Sequence, residues 1–191
     1  IVGTVSDTSI SFGTPVVFKS QNSSSPAATF DSNSNKVIVG SRTTGGFVAV
    51  GTVNGTSISF GNLASIGGST VSNLSLTFDS TLNKVVVAYT NHDSSYRGEA
   101  RVGTVSGTSI SLGNETIFES GNTTGISTTF DKNAGKVVIS YKDAGNSSRG
   151  TAIVGTVSGT SISFGTAVVF ESSSIVVTST TFDSNSNKVV I

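Results

Sequence analysis

The acidic residues of this chain recur at fixed places. Asp31, Asp79, Asp131 and Asp183 each close the phrase Thr-Phe-Asp, and a short run and a lysine follow. In Asp31-Ser32-Asn33-Ser34-Asn35, repeated as Asp183 to Asn187, oxygen-bearing side chains fall at alternate positions, as at the start of a calcium loop. The equivalent runs Asp79-Ser80-Thr81-Leu82-Asn83 and Asp131-Lys132-Asn133-Ala134-Gly135 break that pattern, and no bidentate Glu stands at the twelfth place. An Asx-type turn is the expected use of these aspartates, and no metal site is expected.

His92, the only histidine, lies in Asn91-His92-Asp93-Ser94-Ser95-Tyr96-Arg97. An acid-base pair must aim both groups at one target, and adjacent loop residues rarely do, so His92 reads as a surface residue. The four repeated aspartates occupy equivalent turns and spread apart, which leaves glycosidase-type acid and nucleophile roles without a holder. No cofactor motif is present, and no enzymatic activity is expected. Six asparagines (Asn22, Asn54, Asn73, Asn114, Asn122 and Asn146) head N-x-[ST], and Asn22, Asn122 and Asn146 fall in expected loops, where a glycan fits.

These residues are organised by a repeat. Gly-Thr-Val-x-x-Thr-Ser-Ile-Ser-[Phe/Leu]-Gly opens at Gly3, Gly51, Gly103 and Gly155, with spacings of 48, 52 and 52. Periods of this size holding several short strands indicate a propeller or an array of small sheets. In the third unit, strand A is Ile126 to Asp131, strand B Lys136 to Lys142, strand C Thr151 to Val157 and strand D Ser161 to Phe170. Ser158-Gly159 reads as a two-residue hairpin turn between C and D. Strand B is apolar on both faces, so each sheet needs a neighbour on either side. The A strands are small or polar, as crowding near an axis demands. The Phe ending each A strand (Phe30, Phe78, Phe130, Phe182) is expected in the core, with Phe→Ala costing about 3 to 5 kcal/mol at each.

The expected architecture is therefore an all-β propeller of four antiparallel four-stranded blades in one domain, residues 1–191. It divides into a half-blade 1–20, blades 21–68, 69–120 and 121–172, and a half-blade 173–191. The two halves are complementary: pairing Lys188 to Ile191 with Ile1 to Val5 would close the fourth blade. Both ends lie inside a unit, as in a processed product or a segment of a longer array.

Formal net charge is zero, with 12% charged residues, so no basic field draws in nucleic acid. Mean hydropathy of +0.15 excludes membrane insertion through helices. Cysteine is absent, so no redox compartment is legible.

The third unit, Ile126-Ser127-Thr128-Thr129-Phe130-Asp131 through Lys136-Val137-Val138-Ile139-Ser140-Tyr141-Lys142-Asp143 to Gly155-Thr156-Val157, resembles propeller blades of repetitive bacterial and phage surface proteins of the tail-fibre and adhesin-like kind. Ser140 to Gly145 is also similar to the Asp-box turn of sialidase-type propellers, but its spacing differs and the tryptophan is missing. The resemblance implies an extracellular, virion or cell-surface location and a structural or adhesive role without enzymatic activity, with head-to-tail self-association as one mode of assembly. The alternative is a glycan-binding propeller whose B–C loops form a polar rim of Arg42, Tyr96, Arg97, Asp143 and Arg149, with carbohydrate as partner.

Overall fold

A computed structural model describes all 191 residues. The chain is all-β, built from antiparallel sheets, with two short 3-10 turns as its only helical segments. It opens with the hairpin β1 (Gly3–Ser6) and β2 (Ser9–Phe12). Three full sheets follow. The first contains β3 (Ser24–Asp31), β4 (Lys36–Arg42), β5 (Gly46–Asn54), β6 (Ser57–Phe60) and β7 (Ala64–Gly67). The second contains β8 (Val71–Asp79), β9 (Lys84–Asn91), β10 (Arg97–Ser106), β11 (Ser109–Leu112) and β12 (Thr116–Glu119). The third contains β13 (Thr123–Asp131), β14 (Lys136–Asp143), β15 (Arg149–Ser158), β16 (Ser161–Phe164) and β17 (Val168–Ser174). A final hairpin is formed by β18 (Thr181–Asp183) and β19 (Lys188–Val190).

Each full sheet runs in the order A-B-C-D, but strand D is two segments rather than one. β16 and β17 both pair with β15, the first along its C-terminal half and the second along its N-terminal half. The break falls at Gly165, whose amide still donates to Val154 O at 3.0 Å. Its counterparts Gly13, Gly61 and Gly113 explain the break. A Cβ there would lie 1.9, 1.8 and 1.9 Å from the carbonyl oxygens of Thr56, Thr108 and Thr160, in the C–D turn of the next sheet along the chain. Glycine is required because one backbone rests directly on another.

The turns follow the same period. Asn35, Asn83, Gly135 and Asn187 all take positive φ before the B-strand lysine. The first residue of each C–D turn does likewise, at Asp7, Gly55, Gly107 and Gly159. Positive φ at the first of two loop residues suits the twist of a tight hairpin. The second and third units differ from the first by an inserted turn. Thr29 to Gly51 spans 22 residues, against 26 from Thr77 to Gly103 and from Thr129 to Gly155. The extra residues form the 3-10 turns His92–Ser94 and Ala144–Asn146 between strands B and C.

Sheets stack through their A strands, with β3 beside β8, β8 beside β13 and β13 beside β18. Two cores fill the seams. Val48, Val50, Ile66 and Leu76 with Val85, Val87 and Tyr89 lie between the first and second sheets. Val86, Ala88, Val102 and Phe118 with Ile139, Tyr141, Ile153 and Ile162 lie between the second and third. β9 is buried on both faces between two full sheets, and β14 is buried on both faces between the second sheet and the half-sheet β18–β19. Where A strands meet, hydroxyls take over: Ser75 Oγ accepts from Thr128 N at 3.0 Å, and Ser127 Oγ accepts from Thr180 N at 2.9 Å. Ala27 stands at the matching place in β3, so the first of these seams is apolar.

Besides the continuous strand D, two expectations differ from the structure. The terminal half-sheets are not paired: β1 pairs only with β2 and β19 only with β18. The A-strand phenylalanines are not equally buried. Phe130 is in the core at 9% exposure, Phe78 and Phe182 are half-buried, and Phe30 is 53% exposed. Phe30 lacks a covering sheet on its side. Phe130→Ala is expected to cost about 3 to 5 kcal/mol in urea unfolding. Gly61→Ala and Gly113→Ala should each cost about 3 kcal/mol, since the new methyl meets backbone that cannot yield. Wild-type stability in either glycine variant would refute the stacking contact.

Candidate functional site

The two ends of the strands differ in chemistry. At the A–B end, every aspartate of the Thr-Phe-Asp phrase closes its own turn. Asp31 Oδ1 accepts from Asn33 N at 2.9 Å and Ser34 N at 3.0 Å, and Asp79 Oδ1 accepts from Thr81 N at 2.9 Å and Leu82 N at 3.0 Å. Asp131 and Asp183 repeat the pattern. In Asp183 the Ser186 hydroxyl, donating to Oδ2 at 2.7 Å, and the turn amides hold the carboxyl below its usual range. No group of three or more His, Cys, Asp or Glu side chains is placed to hold a metal ion. The lysines that follow donate across to strand C: Lys36, Lys84 and Lys136 reach Thr52, Thr104 and Thr156 Oγ1 at 2.9, 2.8 and 2.9 Å.

At this end the four A strands share one cleft of about 320 Å³. Its walls include Thr29 and Phe30, Thr77 and Phe78, Thr129 and Phe130, and Thr181 and Phe182, with Ser80 and Lys132 at the turns. All four copies of the phrase therefore converge on a common space.

At the opposite end stand the expected rim residues. Arg42 donates from Nε to Ser24 Oγ at 2.8 Å. Its charge also reaches the second sheet, where after burial it is the main cause lowering the His92 pKa below the usual 6.5, with Asp93 opposing. Tyr96 is 47% exposed and its ring lies 4.6 Å from that of His92, centroid to centroid. Ser72 Oγ and His92 Nε2 are hydrogen-bonded at 2.7 Å, whereas the Asp93 carboxylate accepts from the Ser69 hydroxyl at 2.7 Å. His92 and Asp93 thus serve different partners and form no acid-base pair.

Arg97 is bound inward, paired through Nε with Glu99, which is 1% exposed and also accepts from Asn91 Nδ2 at 3.1 Å. Tyr89 lies under the same carboxylate, and burial first and Glu99 second push its hydroxyl pKa well up. In the third sheet Thr151 replaces Glu99, and Arg149 Nε is buried without an acceptor. Arg149 Nη1 donates to Asn146 Oδ1 at 3.2 Å. Asp143 caps the 3-10 turn, accepting from Asn146 N at 3.0 Å, and burial followed by Glu119 raises its carboxyl pKa. Arg42 and Tyr96 thus gather near His92, while Asp143 and Arg149 share the next loop. Asn22 and Asn122 are exposed, and Asn146 is half-buried within its turn.

The network around Glu99 and the convergence of the Thr-Phe pairs were not singled out from sequence. The repetition of Thr-Phe-Asp was the available signal for the second, since identical phrases ending the A strands of successive stacked sheets come to equivalent points. No protein family, curated protein or solved structure matches this chain.

Two measurements check this geometry. Because the fold favours neutral His92, its stabilising effect is complete above about pH 6.5 and is lost as pH falls through that value towards the lowered one. In an NMR titration the His92 midpoint should lie below 6.5; Arg42→Ala should raise it and Asp93→Ala lower it further. A wild-type midpoint at or above 6.5 would contradict the placement of Arg42. Arg97→Ala, which strands a buried carboxylate, should cost about 3 kcal/mol, and Arg149→Ala, which removes no ion pair, less than about 1 kcal/mol. Equal costs would count against the inward role of Arg97.

Proposed function

We propose that this chain is a non-enzymatic structural or adhesive module of an extracellular or virion surface, folded as a four-bladed β-propeller whose fourth blade combines β18–β19 with β1–β2. The observation that carries the architecture is the single cleft bounded by all four A strands. A linear stack of sheets spaced about 10 Å apart would not bring its first and fourth A strands to one small cleft.

Closure of the fourth blade is supported by what is missing only there. Three full sheets have the B–C ladder, in the third with Val137 opposite Gly155 and Val138 opposite Val154. The matching pairs would be Val189 with Gly3 and Val190 with Val2. Lysine-to-threonine bonds are made in three sheets, leaving Lys188 and Thr4. The glycine-on-turn contact is made three times, leaving Gly165, which a Cβ would bring no closer than 3.8 Å to any atom, and Thr8. Apolar surface tells the same story. Ile153, Val157 and Ile162 are buried against the second sheet, while their counterparts Ile1, Val5 and Ile10 are 61, 71 and 55% exposed. Phe118 packs on Phe164 at 5.8 Å, whereas Phe170 and Phe12, the corresponding pair, are 43 and 60% exposed. Burying Ile1, Val5, Ile10 and Phe12 would stabilise closure by about 6 to 12 kcal/mol as an upper bound.

A structural role is supported by the use of the carboxylates, which serve in turns, in caps and in the one ion pair, Arg97 with Glu99, rather than facing one another across a cleft. A broad glycosidase and esterase screen should yield no turnover that a single Asp or Glu substitution abolishes. Closure is tested with a Val2→Cys, Val190→Cys double variant, which should oxidise to an intramolecular disulfide in a monomer. Gly165→Ala should then cost as much as Gly113→Ala. A ladder of cross-linked sizes would instead support head-to-tail assembly through the same surfaces, a non-closing contact of the kind that produces filaments.

A further inference from the structure

We propose that the groove between β17 and the β18–β19 hairpin is a docking site for a tyrosine-bearing extended strand of another polypeptide. It holds about 330 Å³ and is lined mainly by Phe170, Glu171, Ile175, Val177, Thr178 and Ile191. The rest of the molecule indicates what fits it. In each full sheet an aromatic side chain covers the residue that the preceding unit places at the Phe118 position. Phe47 meets the Phe18 ring at 6.0 Å, the Tyr89 hydroxyl donates to Ile66 O at 3.1 Å, and Tyr141 meets the Phe118 ring at 5.3 Å. Phe170 is the fourth member of this series and lies 43% exposed. The acidic residue beside it selects a phenol. Glu119 Oε1 accepts from Gly121 N at 2.8 Å, and its Oε2 accepts from the Tyr141 hydroxyl at 3.2 Å. Glu171 repeats the first bond, accepting from Ser173 N at 2.7 Å through Oε1, and its side chain is exposed, so Oε2 can accept as that of Glu119 does. A tyrosine on Phe170 uses both the ring and the carboxylate, whereas phenylalanine or an aliphatic side chain leaves the carboxylate unused.

Open backbone lies beside this socket. Thr123, Thr124 and Ser127 of β13 pair with Asp143, Lys142 and Ser140 of β14. Their counterparts Ile175, Val176 and Ser179 pair with no strand, because the β18–β19 ladder runs only over Thr181 to Asp183 and Lys188 to Val190. Strand addition uses this combination: an unpaired edge supplies main-chain bonds, and a socket for an alternate side chain supplies specificity. Closing the fourth blade leaves the groove open. Ile191 and Ile1 correspond to Ile139 and Ile153, so neither half-sheet carries a counterpart of Tyr141. Phe12 would rest on Phe170 as Phe164 rests on Phe118, at 5.8 Å, and Phe118 carries Phe164 and Tyr141 together.

The test is an NMR titration of the intact chain with a synthetic peptide of residues 140–152, which in the third sheet comprise Tyr141 and the strand ends that pair around it. Saturable binding is expected, with shifts at Phe170, Glu171 and residues 175–179. Tyr141→Phe in the peptide should weaken binding about fivefold, and Tyr141→Ala in the peptide should abolish it. Glu171→Ala in the chain should make the tyrosine and phenylalanine peptides bind alike, and Phe170→Ala should weaken the tyrosine peptide about tenfold. Both positions are exposed in β17. The proposal is overturned by absence of saturable binding, by an alanine peptide that binds as tightly, or by affinity indifferent to both chain substitutions with folding confirmed by circular dichroism. Concentration-dependent shifts at the same residues without peptide would make a second copy of the chain the occupant and overturn it as well. The groove is formed by the third sheet and the β18–β19 hairpin alone, so failure of the Val2/Val190 cross-link leaves it standing. Failure of peptide binding equally leaves the propeller reading standing.

Discussion

A sheet whose second strand is apolar on both faces cannot end in water, and the rest of this molecule depends on that constraint. Val85, Val86, Val87 and Ala88 of β9 are all at 0% exposure, two facing each way, because neighbouring sheets cover both sides. The same strand type in β19 has no such cover, and Val190 is 55% exposed. Burial here belongs to the neighbour relation rather than to the strand. Stability is therefore a sum over seams, as in other repeat architectures.

The seams combine two kinds of contact. Apolar cores hold the middle of the sheets together with little directional preference. Register is fixed by polar contacts that recur at the repeat spacing: glycine against the next threonine carbonyl, serine hydroxyls to the next A strand, and Asn73 Oδ1 accepting from Gly125 N at 3.1 Å. These contacts tolerate no one-residue slip, because a slip would put a Cβ where Gly61 or Gly113 now lies.

Much of this was legible from residue types. Asp and Asn in the A–B runs act locally, so their Asx turns appear where the sequence placed them, whereas the C–D turn lies one residue later than Ser158-Gly159, at Gly159-Thr160, because Ser158 pairs with Ser161. What else failed depended on distant partners. Strand D reads as continuous from Ile162 to Phe170 because its alternation continues, yet it breaks at a glycine whose necessity lies in the next sheet. Thr-Ser-Ile-Ser-Phe occurs in β2 and β16 with the same residues, and Ile10 is 55% exposed where Ile162 is 4%. No local pattern separates those two. Phe30 and Phe130 likewise share the phrase Thr-Phe-Asp and differ only in what covers them. The rim arginines misled in another way: Arg97 and Arg149 look alike in sequence, but Glu99, two residues after Arg97, draws it inward, and Thr151 offers Arg149 no acceptor.

The repeat also separates constancy from variation in space. The C–D hairpins, which make the stacking contacts, keep their length in every unit, because a change there would lift a turn off the preceding sheet's glycine, and the A–B turns keep theirs as well. The B–C loops make fewer such contacts and are free to change, as the 3-10 turns of the second and third units and their absence from the first demonstrate. Loops freed from packing are where recognition usually evolves, but in this chain their charged groups are spent on caps and internal pairs. At the end bound by packing, the four Thr-Phe phrases meet in one cleft. A duplicated scaffold can thus acquire a shared cleft as a consequence of its own repetition, before any unit has diverged to serve it.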